Sequence, residues 1–376
     1  MKQLLCAFFA VCLLTTWAGA VELTLAAPHA LLLEKETGTV LYAKDEHSPS
    51  EPASVTKVMT LLLTMEAIDS GALSYDDLVT GSAHACSMGG SQIWLKENEQ
   101  LSVRDMVKAV CIVSANDCAV ALAEHLAGSE EAFVEKMNQR AHELGMNDTC
   151  FQNATGLPAA GHVTSAYDIA LMSRELMLNH PGIRDFTTVW MDTLRDGASA
   201  LVNTNKLVRF YPGATGLKTG STDSARYCLS ATAERDGMEL VAVVLKAPTS
   251  AERFEDAKTL LNYGFAGFSL VRVLPEEALP PIPVTLGASR TVQPLLTGGS
   301  SLLLPKAQAK ELKKTVTLCE AVEAPVEQGQ PLGELTVTDS AGETVAVLPL
   351  VAGEAVPRLT WGQLLGKLLQ VGFVES

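Results

Sequence analysis

The sequence SVTK, residues Ser54 to Lys57, opens a run that continues to Ser70 with apolar residues three or four positions apart. This spacing predicts a helix. Positions three apart lie nearly one helical turn from each other, so we expect the Lys57 amine to meet the Ser54 hydroxyl. A serine hydroxyl becomes a nucleophile only beside a base, and a neutral lysine can act as that base. The competing interpretation is an ordinary helix cap with a solvated lysine.

A second polar motif, Ser114-Ala115-Asn116, interrupts an apolar helical run predicted from Val103 to Leu126. A polar insert at this place forms either a plain interhelical turn or a ligand contact. Beside an activated serine, we expect Ser114 to relay a proton to a leaving amine. We expect Asn116 to donate a hydrogen bond to the amide of a substrate.

A third motif, Lys218-Thr219-Gly220, follows a glycine-rich approach and is predicted to open a strand. Lys218 and Thr219 supply a cation and a hydroxyl, which together suit a terminal carboxylate. The second cation is also expected to lower the pKa of the neighbouring lysine base. Gly220 allows a substrate backbone to lie against the strand, and the N–H of Ser221 is expected to share an oxyanion hole with that of Ser54. Alone, such a tripeptide is commonly a surface turn.

Together, the three motifs resemble those of the penicillin-recognising serine enzymes. Over nearly the whole chain after its first 20 residues, the sequence is similar to the D-alanyl-D-alanine carboxypeptidases among the low-molecular-mass penicillin-binding proteins. Further matching features are Gly90-Ser91, Leu144 to Asn147, Phe151 to Leu157, Thr164 to Asp168, Asn203 to Leu207 and Arg253-Phe254.

The resemblance implies an α+β fold, in which a β-lactamase/transpeptidase-like domain, an antiparallel sheet with a helical cluster, precedes a small all-β domain and an amphipathic C-terminal helix. The implied reaction acylates Ser54 with the penultimate D-alanine, releases the terminal D-alanine and then hydrolyses the acyl-enzyme. The implied partners are peptidoglycan pentapeptide stems and β-lactam antibiotics. Arg253 is implied to assist binding of the substrate carboxylate.

Composition divides the chain into four segments. We expect a signal peptide over residues 1–20, a serine DD-peptidase domain over 21–272, a β-rich domain over 273–356 and an amphipathic membrane-anchor helix over 357–376. Hairpins are predicted at His29 to Tyr42, Leu229 to Leu245 and Glu334 to Leu348, and further helices at Glu130 to Leu144 and Ala251 to Tyr263.

Both ends of the chain carry membrane-related patterns. Lys2 precedes an apolar run from Leu4 to Trp17 and the small residues Ala18-Gly19-Ala20, which is typical of a secretory signal. The run is shorter than the roughly 20 residues of a membrane span. Near the C terminus, Trp361 and four leucines share one helical face, which favours a helix in the membrane surface over one packed on the β domain. We therefore expect an exported protein, anchored peripherally to the outer face of the cytoplasmic membrane, in the periplasm or cell wall.

Charge and composition exclude other classes of partner. The formal net charge is −15 at pH 7. Nucleic acid is not an expected partner, because phosphate backbones are bound by clustered Lys and Arg and the sequence has no such stripe. No Cys or His spacing typical of a metal site occurs, so neither a metal nor a cofactor is predicted.

Other functions share these motifs. A serine β-lactamase also needs a carboxylate that activates the deacylating water, and Glu143, four residues before Asn147, is a superficial candidate. Glu143 instead falls on the predicted solvated face of a helix. An inactive penicillin-binding or wall-binding module would lack a catalytic side chain, and none is missing from the three motifs. The acyl group could also pass to an amine instead of water, which is transpeptidation.

Overall fold

The computed structural model describes residues 23–274, 278–297 and 299–363. The predicted signal peptide and residues 364–376 of the predicted C-terminal helix lie outside the described residues. Contacts divide the chain into two compact units, one running through Glu22–Gly267 and the other holding the described residues from Phe268 onward. Within the described ranges, no helix is both long and apolar enough to traverse a bilayer.

The first unit mixes helices and strands. Its α-helices are α1 (Lys57–Asp69), α2 (Ala83–Cys86), α3 (Val103–Val113), α4 (Asn116–Ala127), α5 (Glu130–Glu143), α6 (Ala166–Asn179), α7 (Arg184–Thr187), α8 (Leu207–Phe210) and α9 (Ser250–Gly267). Its 3-10 helices are Ala53–Thr56 and Pro181–Ile183. Its strands are β1 (His29–Glu34), β2 (Val40–Lys44), β3 (Leu78–Thr80), β4 (Gln100–Ser102), β5 (Met191–Leu194), β6 (Ser199–Val202), β7 (Ala214–Thr222), β8 (Arg226–Arg235) and β9 (Met238–Ala247).

An antiparallel five-stranded sheet, in the order β2-β1-β9-β8-β7, forms the centre of the first unit. The hairpin predicted at the start of the chain is confirmed by the pairing of β1 with β2. The hairpin of β8 and β9 is also confirmed, but its pairing continues to Arg235 and Met238, so its turn is shorter than predicted. The two turn residues, Asp236 and Gly237, have φ of 51° and 77°, and positive φ at both positions is what a type I′ turn requires.

Both faces of this sheet are covered, so nearly all of β9 is buried. On one face, Val241 and Val243 join the core that contains α1. On the other face, Leu240 meets α9 at Gly264. Helix α1 runs through the core, and every side chain from Lys57 to Leu62 is buried. The first turn of α1 is therefore removed from water.

The beginning of the described chain is fixed on the last helix of the first unit. The backbone N–H groups of Ala26 and Ala27 donate to the buried Asp256 carboxylate of α9, at 3.1 and 2.7 Å. Lys44 Nζ donates to the carbonyl oxygens of Leu25 and Ala27, at 3.1 and 2.8 Å. These bonds satisfy the backbone of a segment that belongs to no strand.

The second unit is built mainly from strands, as predicted. They are β10 (Phe268–Arg272), β11 (Ile282–Thr285), β12 (Thr291–Val292), β13 (Pro294–Leu296), β14 (Ser301–Pro305), β15 (Lys313–Leu318), β16 (Val322–Glu323), β17 (Pro331–Thr338) and β18 (Thr344–Ala352). The described strands form sheets β10-β14, β12-β11-β16 and β13-β18-β17-β15. Pairing of β17 with β18 confirms the hairpin predicted there. One small core packs Ile282, Val292 and Leu332, and another packs Val273 with Leu335.

Candidate active site

The first motif lies where a 3-10 helix passes directly into α1. Ser54 lies in the 3-10 helix Ala53–Thr56, and Lys57 is the first residue of α1. Lys57 Nζ lies 3.0 Å from Ser54 Oγ. Ala53 has a left-handed φ of 47°, which is uncommon for a residue with a side chain. The expected meeting of these two side chains is therefore present, on a backbone with local strain.

Burial makes Lys57 suited to the neutral state. Its side chain is fully buried, and this burial holds the pKa of Lys57 well below its usual value. The charge of Lys218 lowers the pKa further, whereas that of Asp117 opposes the change. Lys57 Nζ also donates to the carbonyl oxygen of Thr155, at 2.7 Å. A neutral amine has two protons and one lone pair, so donation to a carbonyl leaves the lone pair available to the Ser54 hydroxyl.

The second motif breaks the predicted helical run into α3 and α4. Ser114 ends α3 in a left-handed conformation, with φ of 66°. Asn116 begins α4, and its Nδ2 donates to the carbonyl oxygen of Gly89 at 2.7 Å. Ser114 Oγ and Asn116 Oδ1 are buried, and neither has a hydrogen-bond partner among the described residues. Since buried polar atoms are normally paired, these two oxygens are available to a ligand or a water molecule.

The third motif lies on β7, directly against the nucleophile turn. A Cβ atom added to Gly220 would lie 2.9 Å from the backbone nitrogen of Ser54 and 2.8 Å from the carbonyl oxygen of Pro52. Contacts this short are not tolerated, so only glycine allows the strand to approach. Ser221, the next residue of this edge strand, is exposed. The structure thus brings the first and third motifs together.

Lys218 and Thr219 are both buried on this strand. Lys218 Nζ donates to the carbonyl oxygen of Thr219 at 2.9 Å, and burial lowers the pKa of Lys218 to about 7. Thr219 Oγ1 lies 2.7 Å from Thr204 Oγ1, in the segment between β6 and α8. An anion bound here would favour the charged form of Lys218.

Arg253 supports the same strand from α9. Its Nη1 donates to the carbonyl oxygens of Gly220 and Cys228, at 3.1 and 3.2 Å. Burial lowers the pKa of Arg253 to about 10. Its Nε is buried and has no partner within the described part of the chain. The guanidinium therefore supports the strand that carries the third motif.

Two residues near the nucleophile were not assigned roles from sequence. The Thr155 carbonyl contacts Lys57, and Asn153 Oδ1 shapes this loop by accepting from the N–H groups of Thr155 and Gly156, at 3.1 and 2.7 Å. Gly156 has a φ of 84°, and an added Cβ atom would lie 1.8 Å from the carbonyl oxygen of Ala53. The only signal in the sequence was the resemblance of the stretch Phe151 to Leu157 to the family.

A family model described as D-alanyl-D-alanine carboxypeptidase matches residues 16–249, which is more than half of the chain. The chain belongs to this family. A second model, described as penicillin-binding protein 5, C-terminal domain, matches residues 269–358. The resemblance inferred from the three motifs is thereby confirmed, together with the α+β fold and the β-rich domain that follows it.

Members of this carboxypeptidase family match along most of the chain. The D-alanyl-D-alanine carboxypeptidase DacF of Bacillus subtilis is 40% identical over 369 residues, covering 94% of each chain. The structure of penicillin-binding protein 5 from Haemophilus influenzae is 28% identical with a TM-score of 0.77, covering 90% of this chain and 100% of that one. Ampicillin-bound penicillin-binding protein D2 from Listeria monocytogenes is 35% identical with a TM-score of 0.60, covering 65% of this chain and 100% of that one.

Proposed function

We propose that the protein is a serine-type D-alanyl-D-alanine carboxypeptidase that removes the terminal D-alanine from peptidoglycan pentapeptide stems through a Ser54 acyl-enzyme. The observation that carries this proposal is the buried Lys57 amine, 3.0 Å from Ser54 Oγ, with its pKa held well below the usual value. A base of this kind is what a serine needs to attack an amide carbonyl. The family to which the chain belongs and its relative from Bacillus subtilis are named for the same reaction.

Acylation begins when the lone pair of Lys57 accepts the Ser54 proton. Ser54 Oγ then forms a bond to the carbonyl carbon of the penultimate D-alanine, and the negative charge moves to the carbonyl oxygen. The N–H groups of Ser54 and Ser221 stabilise this oxyanion. When the peptide bond breaks, the proton returns through Ser114 to the nitrogen of the leaving D-alanine. Water then attacks the ester carbonyl, one of its protons passes through Lys57 to Ser54 Oγ as the ester bond breaks, and the shortened peptide leaves as a carboxylic acid.

The remaining polar groups of the site bind the substrate. Lys218 and Thr219 hold the terminal carboxylate, since a buried cation and a hydroxyl are adjacent on β7. Arg253 assists this binding through the strand, because its Nη1 donates to the carbonyl oxygen of Gly220. Asn116 pairs with the amide of the peptide, and Gly220 lets the peptide backbone approach. No cofactor takes part in this scheme.

β-Lactam antibiotics acylate the same serine in this proposal, and an ampicillin-bound relative with the same fold supports it. A serine β-lactamase would need a carboxylate that activates water for rapid deacylation. Glu143 does not fit that role, because it ends α5, is about half exposed, and bonds to Gln139 and Arg140 of its own helix. We therefore expect a long-lived adduct with penicillin.

The place of action follows from the two ends of the chain. We propose that residues 1–20 direct export and that the C-terminal helix lies on the outer face of the cytoplasmic membrane. The helix predicted over 357–376 begins at Trp361, because residues 357–360 are not helical and Arg358 forms a β-bridge with Gly287. The domain over 21–272 carries the reaction, and the β-rich domain over 273–356 lies between it and the anchor in the sequence. Binding of the purified full chain to anionic vesicles, lost on deletion of residues 361–376, tests the anchor.

Mass spectrometry tests the proposed reaction most directly. The parent protein is incubated with a D-alanyl-D-alanine peptide and, separately, with penicillin. We expect loss of one D-alanine from the peptide and one covalent adduct at Ser54. Ser54→Ala is expected to abolish both, whereas Ser70→Ala, an exposed serine beyond the end of α1, is expected to retain both. Penicillin attachment at another residue would refute the assignment.

A further inference from the structure

The buried imidazole of His162 has no part in the proposed reaction. It is 3% exposed and belongs to none of the three motifs. Its Nε2 lies 2.8 Å from Thr56 Oγ1, and its Nδ1 lies 3.1 Å from the backbone nitrogen of Gln152. These two partners belong to separate segments. Thr56 immediately precedes Lys57, and Gln152 precedes the loop that supplies the Thr155 carbonyl.

The contacts fix which tautomer His162 adopts. A backbone N–H can only donate, so Nδ1 of His162 must carry a lone pair toward Gln152. The neutral ring then carries its proton on Nε2 and donates it to Thr56 Oγ1. Burial lowers the pKa of His162 to about 4, although the Glu51 charge opposes this, and the ring is neutral at pH 7. The edge contact with Phe151, with ring centroids 5.8 Å apart, fixes the plane of the ring.

The two segments that His162 joins meet again at the catalytic base. The loop is shaped by Asn153, whose side chain accepts from the N–H groups of Thr155 and Gly156. Gly156 packs directly on the nucleophile turn at Ala53. From this position, the Thr155 carbonyl accepts from Lys57 Nζ at 2.7 Å. The direction of the Lys57 lone pair therefore depends on the position of the loop that holds Thr155 relative to the turn at Ala53.

We propose that His162 is a positioning residue for the Ser54–Lys57 pair, acting through Thr56 on one side and through the loop after Gln152 on the other. The inference rests on the proposed function. The neutral ring of His162 donates from Nε2 and accepts at Nδ1, and the spacing of these two atoms is fixed. The turn at Thr56 and the loop after Gln152 therefore keep one relative position. A displacement of about 1 Å within a reacting pair costs on the order of 100-fold in rate.

Two variants of His162 separate positioning from filling of space. His162→Leu keeps the volume and removes both hydrogen bonds, whereas His162→Gln returns one donor and one acceptor on a planar group. The measurements are the rate constant of acylation by penicillin, and kcat and KM for a D-alanyl-D-alanine peptide. His162→Leu is expected to lower acylation and kcat by about tenfold to 100-fold with little change in KM, and His162→Gln to restore part of the loss.

A matched control accounts for lost stability. Ser173 and Ser230 form a hydrogen bond of 2.8 Å that is equally buried but joins α6 to β8. Ser173→Ala is expected to lower the melting temperature without changing the acylation rate constant. If the parent is active and His162→Leu has the same acylation rate constant and kcat as the parent, the positioning role alone is overturned. The same holds if Ser173→Ala lowers the acylation rate constant as much as His162→Leu does. A parent that neither cleaves peptide nor binds penicillin at Ser54 overturns the proposed function as well.

Discussion

Replacing Lys218 by methionine is expected to stabilise the protein at pH 7 while weakening its activity. The side chain is 1% exposed, and its burial lowers the pKa from 10.5 to about 7. Methionine has a similar length and is unbranched, so it fits an irregular apolar space without a charge. Active sites commonly keep such unfavourable groups because the reaction needs them.

The magnitude follows from the difference in proton affinity between the folded and unfolded states. Each pKa unit corresponds to about 1.4 kcal/mol, so the fall from 10.5 to about 7 corresponds to about 5 kcal/mol. At pH 7 the folded amine is half protonated, so Lys218 lowers the free energy of unfolding by about 4 kcal/mol. Methionine also loses the bond to the Thr219 carbonyl, worth about 1 kcal/mol. The net gain is about 3 kcal/mol, or about 6–12 °C in melting temperature.

The sign of the pH dependence gives the assay its control. The folded state disfavours the protonated amine, so between pH 7 and 10.5 the unfolded chain binds more protons and the stability of the parent rises with pH. Calorimetry of the parent, Lys218→Met and the exposed control Lys206→Met at pH 7 and above pH 10.5 tests this. The advantage of Lys218→Met is expected at pH 7 only. A variant less stable than the parent at pH 7, or an advantage unchanged by pH, would refute the reasoning.

Two further substitutions test the packing of the site and of the sheet. Gly156→Ala is expected to lower the acylation rate constant on the order of 100-fold, because its Cβ would lie 1.8 Å from the Ala53 carbonyl oxygen. Gly161→Ala is the control, since Gly161 has a similar positive φ and an added Cβ would have no contact under 3.5 Å. This variant is expected to keep the acylation rate constant of the parent. Glu239→Ala is expected to lower the free energy of unfolding by about 1–3 kcal/mol in urea titrations, because it removes the buried carboxylate that pairs with Lys35 and Arg184, while Arg184 keeps its pair with Glu234. The kcat for a D-alanyl-D-alanine peptide is expected to stay unchanged.

Local patterns in the sequence predicted most of the elements that position the site. The β8–β9 hairpin follows from alternating apolar residues around Asp236-Gly237, although the strands extend closer to this turn than predicted. The spacing of apolar residues predicts a helix from Val55, and the structure has a 3-10 helix over Ala53–Thr56 before α1 begins at Lys57. Helix α6 was missed, although Ser165 accepts from the N–H of Asp168 in a capping pattern that was visible in the sequence.

Contacts between distant parts of the chain could not be predicted in this way. His162 and Thr56 are 106 positions apart, and the Thr155 carbonyl is 98 positions from Lys57. Neither periodicity nor a short motif specifies such a pair, because each partner appears in sequence as an ordinary loop or helix residue. The contact of Arg253 with β7 could not be predicted either, because Arg253 donates to carbonyl oxygens, which every residue provides.

The order of strands in the central sheet has a consequence for synthesis from the N terminus. β1 lies between β2 and β9, and the N–H groups of Ala26 and Ala27 find their acceptor, Asp256, only when α9 is present. A nascent chain can form its first hairpin early but cannot close the sheet until about 200 more residues have followed, and such non-local pairing is slow. The central sheet therefore stays incomplete over most of the elongation of the chain, which is compatible with the export proposed above.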